Sequence, residues 1–357
     1  MKIAIITDSH FGARNDNQNF SDFFFKFYEN IFFPYLKENN ITTCIHMGDV
    51  MDRRKYVSYK TATEFRTGFV DRFDDEGLDL HITIGNHDTY YKNTSEVNSM
   101  DELIGSGLRY PGRFTVYTEP EVVDFDGLPV LLMPWINANN YDKSMEALKS
   151  ANSDIIMGHL EINGFAMSAG QMVCQGGWDK KEFKRFETIF SGHFHHKNDD
   201  GQIYYLGTPY EIYWSDYNDP KGFHIFDTET RKLERIVNPY TIYKKIFYDD
   251  TVNEYDKHDM SQYKDHYVKV IVVNKKDLYQ FDKFTDKLLA TDAYEVKIIE
   301  DFSELDASNV SDEIVENAED TITLLERYVD ELDVTLSKDR LKNTMKSLYN
   351  EAQDLEL

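Results

Sequence analysis

Five short clusters carry the residue types with which chemistry is done: Asp8-Ser9-His10, Gly48-Asp49-Val50-Met51-Asp52, Gly85-Asn86-His87-Asp88, Gly158-His159 and Gly192-His193-Phe194-His195. Carboxylate, amide and imidazole donors in this mixture suit borderline divalent cations such as Mn²⁺, Fe²⁺ or Zn²⁺. Taken singly, each cluster is ordinary, because Gly-Asp is a common turn and Asp-x-His arises by chance. What distinguishes them is that all five occur in order, each directly after a short apolar run. Other histidines lack such a setting. His46, His81, His224 and His266 read as packed or surface residues, and His196 as a solvated or supporting neighbour of His195.

The elements that must position these clusters are legible around them. The preceding runs are Ile3–Thr7, Thr43–Met47, His81–Ile84, Asp154–Met157 and Thr188–Ser191. Their length, their Ile content and the Gly that closes four of them predict buried strands. Helical patterns lie between, notably Phe20–Lys37 and Tyr59–Asp75. Strand alternating with helix predicts a layered α/β or α+β fold with a central sheet, its polar clusters gathered along one edge at the strand ends. Glycines at the strand ends would allow the turn that carries the next side chain into the site.

Beyond about residue 196 the texture changes. Ile203–Leu206, Gly222–Phe226 and Lys232–Ile236 read as strands, with a turn at Asp227–Thr230. A small α+β region follows, with strands at Tyr243–Tyr248, Tyr267–Val273 and Tyr294–Ile299 and a helix at Asp277–Leu289. At the C-terminus, Val310, Ile314, Ala318, Ile322, Leu325, Val329 and Leu332 form one helical stripe, and Leu341, Met345, Leu348 and Ala352 a second, with Ser337 placed to cap it. The organisation expected is 1–238, 239–302 and 303–357.

Composition narrows the classes. The 357 residues are enough for one large domain with additions. No stretch approaches the roughly 20 apolar residues that span a membrane. Cys44 and Cys174 have no metal-finger spacing, and a reduced, cytoplasmic protein is the expectation. A net charge of −25 argues at first against nucleic acid. The charge is uneven, however: residues 301–357 alone hold a net −11, and bound cations would offset carboxylates at a site. Arg53 and Arg54 flank a cluster and are the better candidates for phosphate contact. The other basic pairs read as solvated surface.

Asp8-x-His10, Gly48-Asp49-x-x-Asp52, Gly85-Asn86-His87-Asp88, Gly158-His159 and Gly192-His193-x-His195 together resemble the signature of the calcineurin-like metallophosphoesterases, over about residues 1–235. Within that superfamily the chain is similar to the SbcD-type exonuclease subunits of double-strand-break repair nucleases and their counterparts in T-even-like bacteriophages. The resemblance implies a four-layer α/β/β/α core, a small cap over 239–302 and a C-terminal helical pair. It implies that Asp8, His10, Asp49 and His195 hold one metal ion and Asp49, Asn86, His159 and His193 a second, with Mn²⁺ foremost and Mg²⁺, Fe²⁺ or Zn²⁺ as alternatives. It assigns His87 to the scissile phosphate or the leaving oxygen. Asp52, three residues beyond Asp49, would orient and charge His87. DNA as substrate, an SMC-like ATPase docked on the C-terminal helices, and a homodimer through Tyr59–Asp75 and Thr94–Ile104 inside a 2:2 assembly complete the implication, in the host cytoplasm if the chain is phage-encoded.

Two other readings compete. The Asp49-Val50-Met51-Asp52-Arg53-Arg54 stretch partly echoes the protein-phosphatase branch, which would make the chain a phosphomonoesterase. Arg54 and Asp88 stand where that branch has Gly and Glu, and the Gly-His-x-His pair lies outside its pattern. A non-catalytic scaffold for the ATPase is the second, although such a protein would usually have lost ligands.

Overall fold

The computed structural model describes residues 1–104, 112–166, 173–174, 176–299 and 338. Alternation along the strands decides the layering. In β1 (Lys2–Ile6), Ile3 and Ile5 face one core while Ala4 and Ile6 face another. This strand belongs to a six-stranded sheet with β2 (Thr43–His46), β3 (Asp79–Thr83), β4 (Phe114–Tyr117), β11 (Gly222–Asp227) and β12 (Leu233–Val237), in the order β12-β11-β1-β2-β3-β4. A second six-stranded sheet contains β5 (Glu121–Phe125), β6 (Leu128–Met133), β7 (Ile155–His159), β8 (Thr188–Gly192), β9 (Asn198–Asp199) and β10 (Ile203–Tyr205), in the order β5-β6-β7-β8-β10-β9.

The sheets face each other across an apolar core that includes Ile3, Ile5, Ile45, Val130, Leu132, Met157 and Phe190. On the outer side of the first sheet lies an aromatic-rich layer, with Phe20, Phe24, Phe27, Phe65, Phe69 and Phe73 buried against it. Helix Tyr141–Ser150 covers the second sheet through Leu148. The order is therefore helix, sheet, sheet, helix. This is the four-layer order that the resemblance implied, with β1, β2 and β3 in one sheet and β7 and β8 in the other. Strands buried on both faces read alike in sequence, so their patterns alone do not divide them.

The predicted helix at Phe20–Lys37 begins at Gln18, where Asn17 accepts a hydrogen bond from Asn19 N at 2.9 Å, and runs to Glu38 through a π-type turn at Tyr28–Phe32. Tyr59–Asp75 is helical over the predicted span, with a π-type turn at Arg66–Val70. Its Phe65, Phe69, Val70 and Phe73 pack inward, leaving Tyr59 and polar residues outside. Thr94–Ile104 is helical only over Ser99–Ile104; the side chain of Asn98 accepts from Asp101 N at 2.9 Å and starts the helix there.

The last described region is a parallel sheet of β13 (Tyr243–Asp249), β14 (Tyr267–Asn274) and β15 (Glu295–Ile299), with helix Leu278–Leu289 connecting the last two. Glu211 ties it to the main body by accepting from Ile242 N at 2.7 Å and Tyr243 N at 3.1 Å. The C-terminal stripes Val310–Leu332 and Leu341–Ala352 lie outside the described residues. Cys44 and Cys174 are buried free thiols. Among the described residues, no helix is long and apolar enough to cross a membrane.

Candidate metal centre

The C-terminal ends of β1, β2, β3, β7 and β8 converge, although they belong to two sheets. Asp8 and His10 follow β1, Asp49 follows β2, Asn86 follows β3, His159 ends β7, and His193 and His195 follow β8. The turns that aim these side chains are strained. Asp8, His10, Asp49 and His193 all have positive φ, at 52°, 45°, 53° and 84°. Non-glycine residues in this region cost of order 1 kcal/mol each and persist only where the surroundings impose them. Two glycines serve close approach instead. A Cβ on Gly85 would lie 2.2 Å from Asp49 N, and one on Gly192 would lie 2.0 Å from Thr7 Oγ1.

Two groups of donors result. In the first, Asp8, His10 and His195 each offer a ligand atom, all within 4.8 Å of one another; in the second, Asp49, His159 and His193 do the same. His10 Nε2 and His195 Nε2 are 3.1 Å apart. Asn86 Oδ1 joins the second group, 3.0 Å from His159 Nε2 and 2.9 Å from His193 Nδ1. Asp49 Oδ2 lies 3.3 Å from His159 Nε2 and 4.0 Å from His10 Nε2, between the groups. Donors bound to a common ion at about 2.0–2.2 Å sit about 3 Å apart, so these spacings fit two cations sharing Asp49.

The electrostatics fit as well. Burial pushes the Asp8 carboxyl up to about 6. Burial acts on Asp49 in the same sense, but His159, His87 and His10 around it hold it well below the usual range. His10 and His159 are desolvated, which alone would lower them; the carboxylates of Asp52, Asp49 and Asp8 outweigh this for His10, and those of Asp49 and Asp8 for His159, raising each to about 9. Burial and the neighbouring His159 drive His193 down to about 3. The buried carboxylates thus favour positive charge at this centre.

Several contacts orient these donors. Met47 O accepts from His159 Nδ1 at 2.8 Å, which points Nε2 into the centre. Thr7 Oγ1 donates to Asp8 Oδ2 at 2.6 Å. Asp88, fully buried, accepts from Val50 N, Met51 N and Gly85 N at 2.9–3.0 Å and locks two motif loops together. His46 supports the first loop, with Nε2 2.7 Å from Ser9 Oγ.

Asp52 departs from expectation. His87 Nδ1 donates to the main-chain oxygen of Asp52 at 2.5 Å, whereas the Asp52 carboxylate lies 3.5 Å from His10 Nδ1. Its carboxylate therefore bears on His10, while its main-chain oxygen orients the His87 ring. Three residues along an irregular loop do not fix which way a side chain turns. The expected phosphate contacts also separate. Arg53 is engaged with Asp16 at 2.9 Å and with Asn15, and stacks over Tyr56. Arg54 is half-buried with Nη1 unpartnered, and desolvation lowers its pKa despite Asp49.

Supporting residues that gave no signal in the sequence surround His195. Lys221, 2% exposed, donates to His195 O at 2.9 Å and pairs with Asp216 at 2.7 Å and Asp219 at 2.8 Å. Asp219 also meets His196 Nδ1 at 3.0 Å. Tyr213 stacks on the His195 ring at 5.6 Å, and Trp135 packs against His193 at 5.1 Å.

A four-layer fold with two groups of metal-type donors at the strand ends defines a class. The chain belongs to the calcineurin-like phosphoesterase family, whose pattern matches residues 1–197. Over 356 residues, 99% of each chain, it is 33% identical to Exonuclease subunit 1 of Enterobacteria phage T4. Two solved structures superpose loosely: an archaeal phosphodiesterase (15% identical, 67% of this chain and 100% of the other, TM-score 0.32) and a hypothetical protein from Thermus thermophilus (12%, 66% and 98%, TM-score 0.36).

Proposed function

We propose that the chain is the nuclease subunit of a DNA-processing complex and hydrolyses phosphodiester bonds at the centre shared by the two donor groups. The observation that carries this reading is the placement of Asp49 between Asp8, His10 and His195 on one side and Asn86, His159 and His193 on the other. The full-length match to a protein named as an exonuclease subunit supports DNA as the substrate.

Asp8, His10, Asp49 and His195 would hold one divalent ion and Asp49, Asn86, His159 and His193 the other, with Mn²⁺ the expected metal. When bound, such a pair supplies charge neutralisation and activation for in-line displacement at a phosphodiester. His87 is fixed by its Nδ1 hydrogen bond to Asp52 O, which leaves Nε2 to meet the phosphate. As an imidazolium it would donate a proton to the leaving oxygen. Asp52 would position His10 through its carboxylate. Arg54, with an unpartnered guanidinium nitrogen, is the better phosphate contact; Arg53 would have to leave Asp16.

Around this centre the division is nuclease body over 1–238, cap over 239–302 and docking tail over 303–357. The tail would bind an SMC-like ATPase by laying apolar stripes into a groove or coiled coil. Two subunits would pair through the outer faces of Tyr59–Asp75 and the segment Thr94–Ile104 in a 2:2 assembly, in the cytoplasm. The direct test is hydrolysis with Mn²⁺, with and without the ATPase. Cleavage of duplex ends and single-stranded DNA is expected; robust turnover of phosphomonoesters with none of DNA would establish the phosphatase alternative.

A further inference from the structure

A groove of about 1010 Å³ opens beside the second donor group. Its aromatic surface is Trp135, Tyr141 and Trp178. The Tyr141 and Trp178 rings lie 5.9 Å apart with 30° between their planes, a near-parallel aromatic pair on the groove lining. Trp135 lines the same groove and borders the catalytic centre, its ring 5.1 Å from that of His193 and 6.0 Å from that of His159. Whatever sits in the groove is therefore one ring away from a group bound at the donors.

Charge selects the occupant. Asp142, Glu146, Glu161 and Glu182 stand along the walls, and Glu161 Oε2 reaches to 4.0 Å of His193 Nε2. Among the described residues, Lys149 is the one basic member of the lining. A wall of this sign repels phosphates, so it does not fit a track for the DNA backbone. It fits an uncharged planar group with N–H donors, because aromatic faces stack on such a group and carboxylates accept from its edge. A nucleobase has both properties. Stacking on aromatic side chains also holds bases with little regard to their identity.

We propose that this groove receives the unstacked base of the nucleotide whose phosphate lies at the metal centre, while the acidic walls keep the neighbouring phosphates out. The inference rests on the phosphodiesterase reading above and adds to it the fate of the base. Drawing one base from its stack would commit a single nucleotide to the centre at a time, with stacking on Tyr141 and Trp178 offsetting the lost base–base contact.

Chromogenic diesters test it with the full-length chain and Mn²⁺. The 5′ and the 3′ p-nitrophenyl phosphodiesters of deoxyadenosine are each compared with the base-free deoxyribose ester of the same leaving group. For at least one of the two, the base should raise kcat/KM by about tenfold, mainly through KM. Tyr141→Ala and Trp178→Ala should each bring that ratio toward one. Tyr141 is 45% exposed, so its variant folds even if that of Trp178 does not. The ratio is internal to each variant, so a partial loss of active protein does not imitate the effect. An active enzyme with a ratio near one for both esters, or a ratio that survives both substitutions, overturns the base site and leaves the phosphodiesterase reading standing. Hydrolysis of neither the esters nor DNA overturns both.

Discussion

His87 is held by two contacts that leave one ring nitrogen uncommitted. Its N–H donates to Asp49 Oδ1 at 2.7 Å, and its Nδ1 to Asp52 O at 2.5 Å. The first ties the loop to the shared aspartate; the second sets the ring. Because neither makes His87 one of the clustered donors, His87→Ala should lower cleavage by about 10²–10⁴ while the metal content of the purified protein stays that of the wild type. Loss of metal with the ring would make His87 a ligand. At this scale the sequence displayed the donors themselves, since Asp, Asn and His beside strand ends are conspicuous. It hid the supports. Lys221, Asp216 and Asp219 lie in a stretch with no pattern, and only folding buries them together behind His195. Trp135 and Tyr213 stood among 24 tyrosines and three tryptophans with nothing to single them out. Asp52 was visible, but its two faces, carbonyl toward His87 and carboxylate toward His10, were not.

Among elements, the least expected device is the junction between the nuclease body and the parallel sheet that follows. Glu211, buried, accepts two main-chain N–H groups at the start of β13. Burial nevertheless dominates and raises its pKa from 4.5 to about 7. The native chain therefore keeps a proton that the unfolded chain releases, so this group's contribution to stability falls as pH rises from about 4.5 to about 7. Glu211→Gln keeps an acceptor and removes the titration. Relative to wild type, the variant should gain on the order of 1–3 kcal/mol of unfolding free energy between about pH 5 and about pH 8, read by denaturant melts. An unchanged difference across that range would mean Glu211 is already ionised when folded. The strands that end in donors were legible because apolar runs and closing glycines are local signals. β5 and β6 passed unread although Asp126-Gly127, both at positive φ, make the two-residue turn that joins such pairs. The allotment of strands to two sheets was not legible, since it depends on which buried faces meet. The start of helix Ser99–Ile104 depended on the Asn98 cap rather than on the apolar spacing around it.

For the whole molecule, the negative charge is concentrated toward the C-terminal segment. Residues 301–357 carry −11 of the −25 total. A segment so acidic avoids DNA and suits a basic partner surface. Truncation after Asp301 should leave basal Mn²⁺-dependent hydrolysis in place and abolish co-elution with the ATPase; a truncated chain that still co-elutes would remove the tail from the interface. The proposed dimer stands on less, because the apolar residues of Tyr59–Asp75 are spent on the chain's own core. Light scattering at micromolar concentration should show a dimer, and a monomer even beside the ATPase would rule it out.

Everything else depends on there being two cations that share Asp49. The most direct measurement is the number of Mn²⁺ ions bound per chain, by titration calorimetry and elemental analysis, in the wild type and in Asp49→Ala. The wild type should bind two, and Asp49→Ala should lose tight binding at both positions together with hydrolysis while keeping its fold by circular dichroism. A wild type that binds one ion or none, or an Asp49→Ala chain that still holds two and still cleaves, would contradict the account.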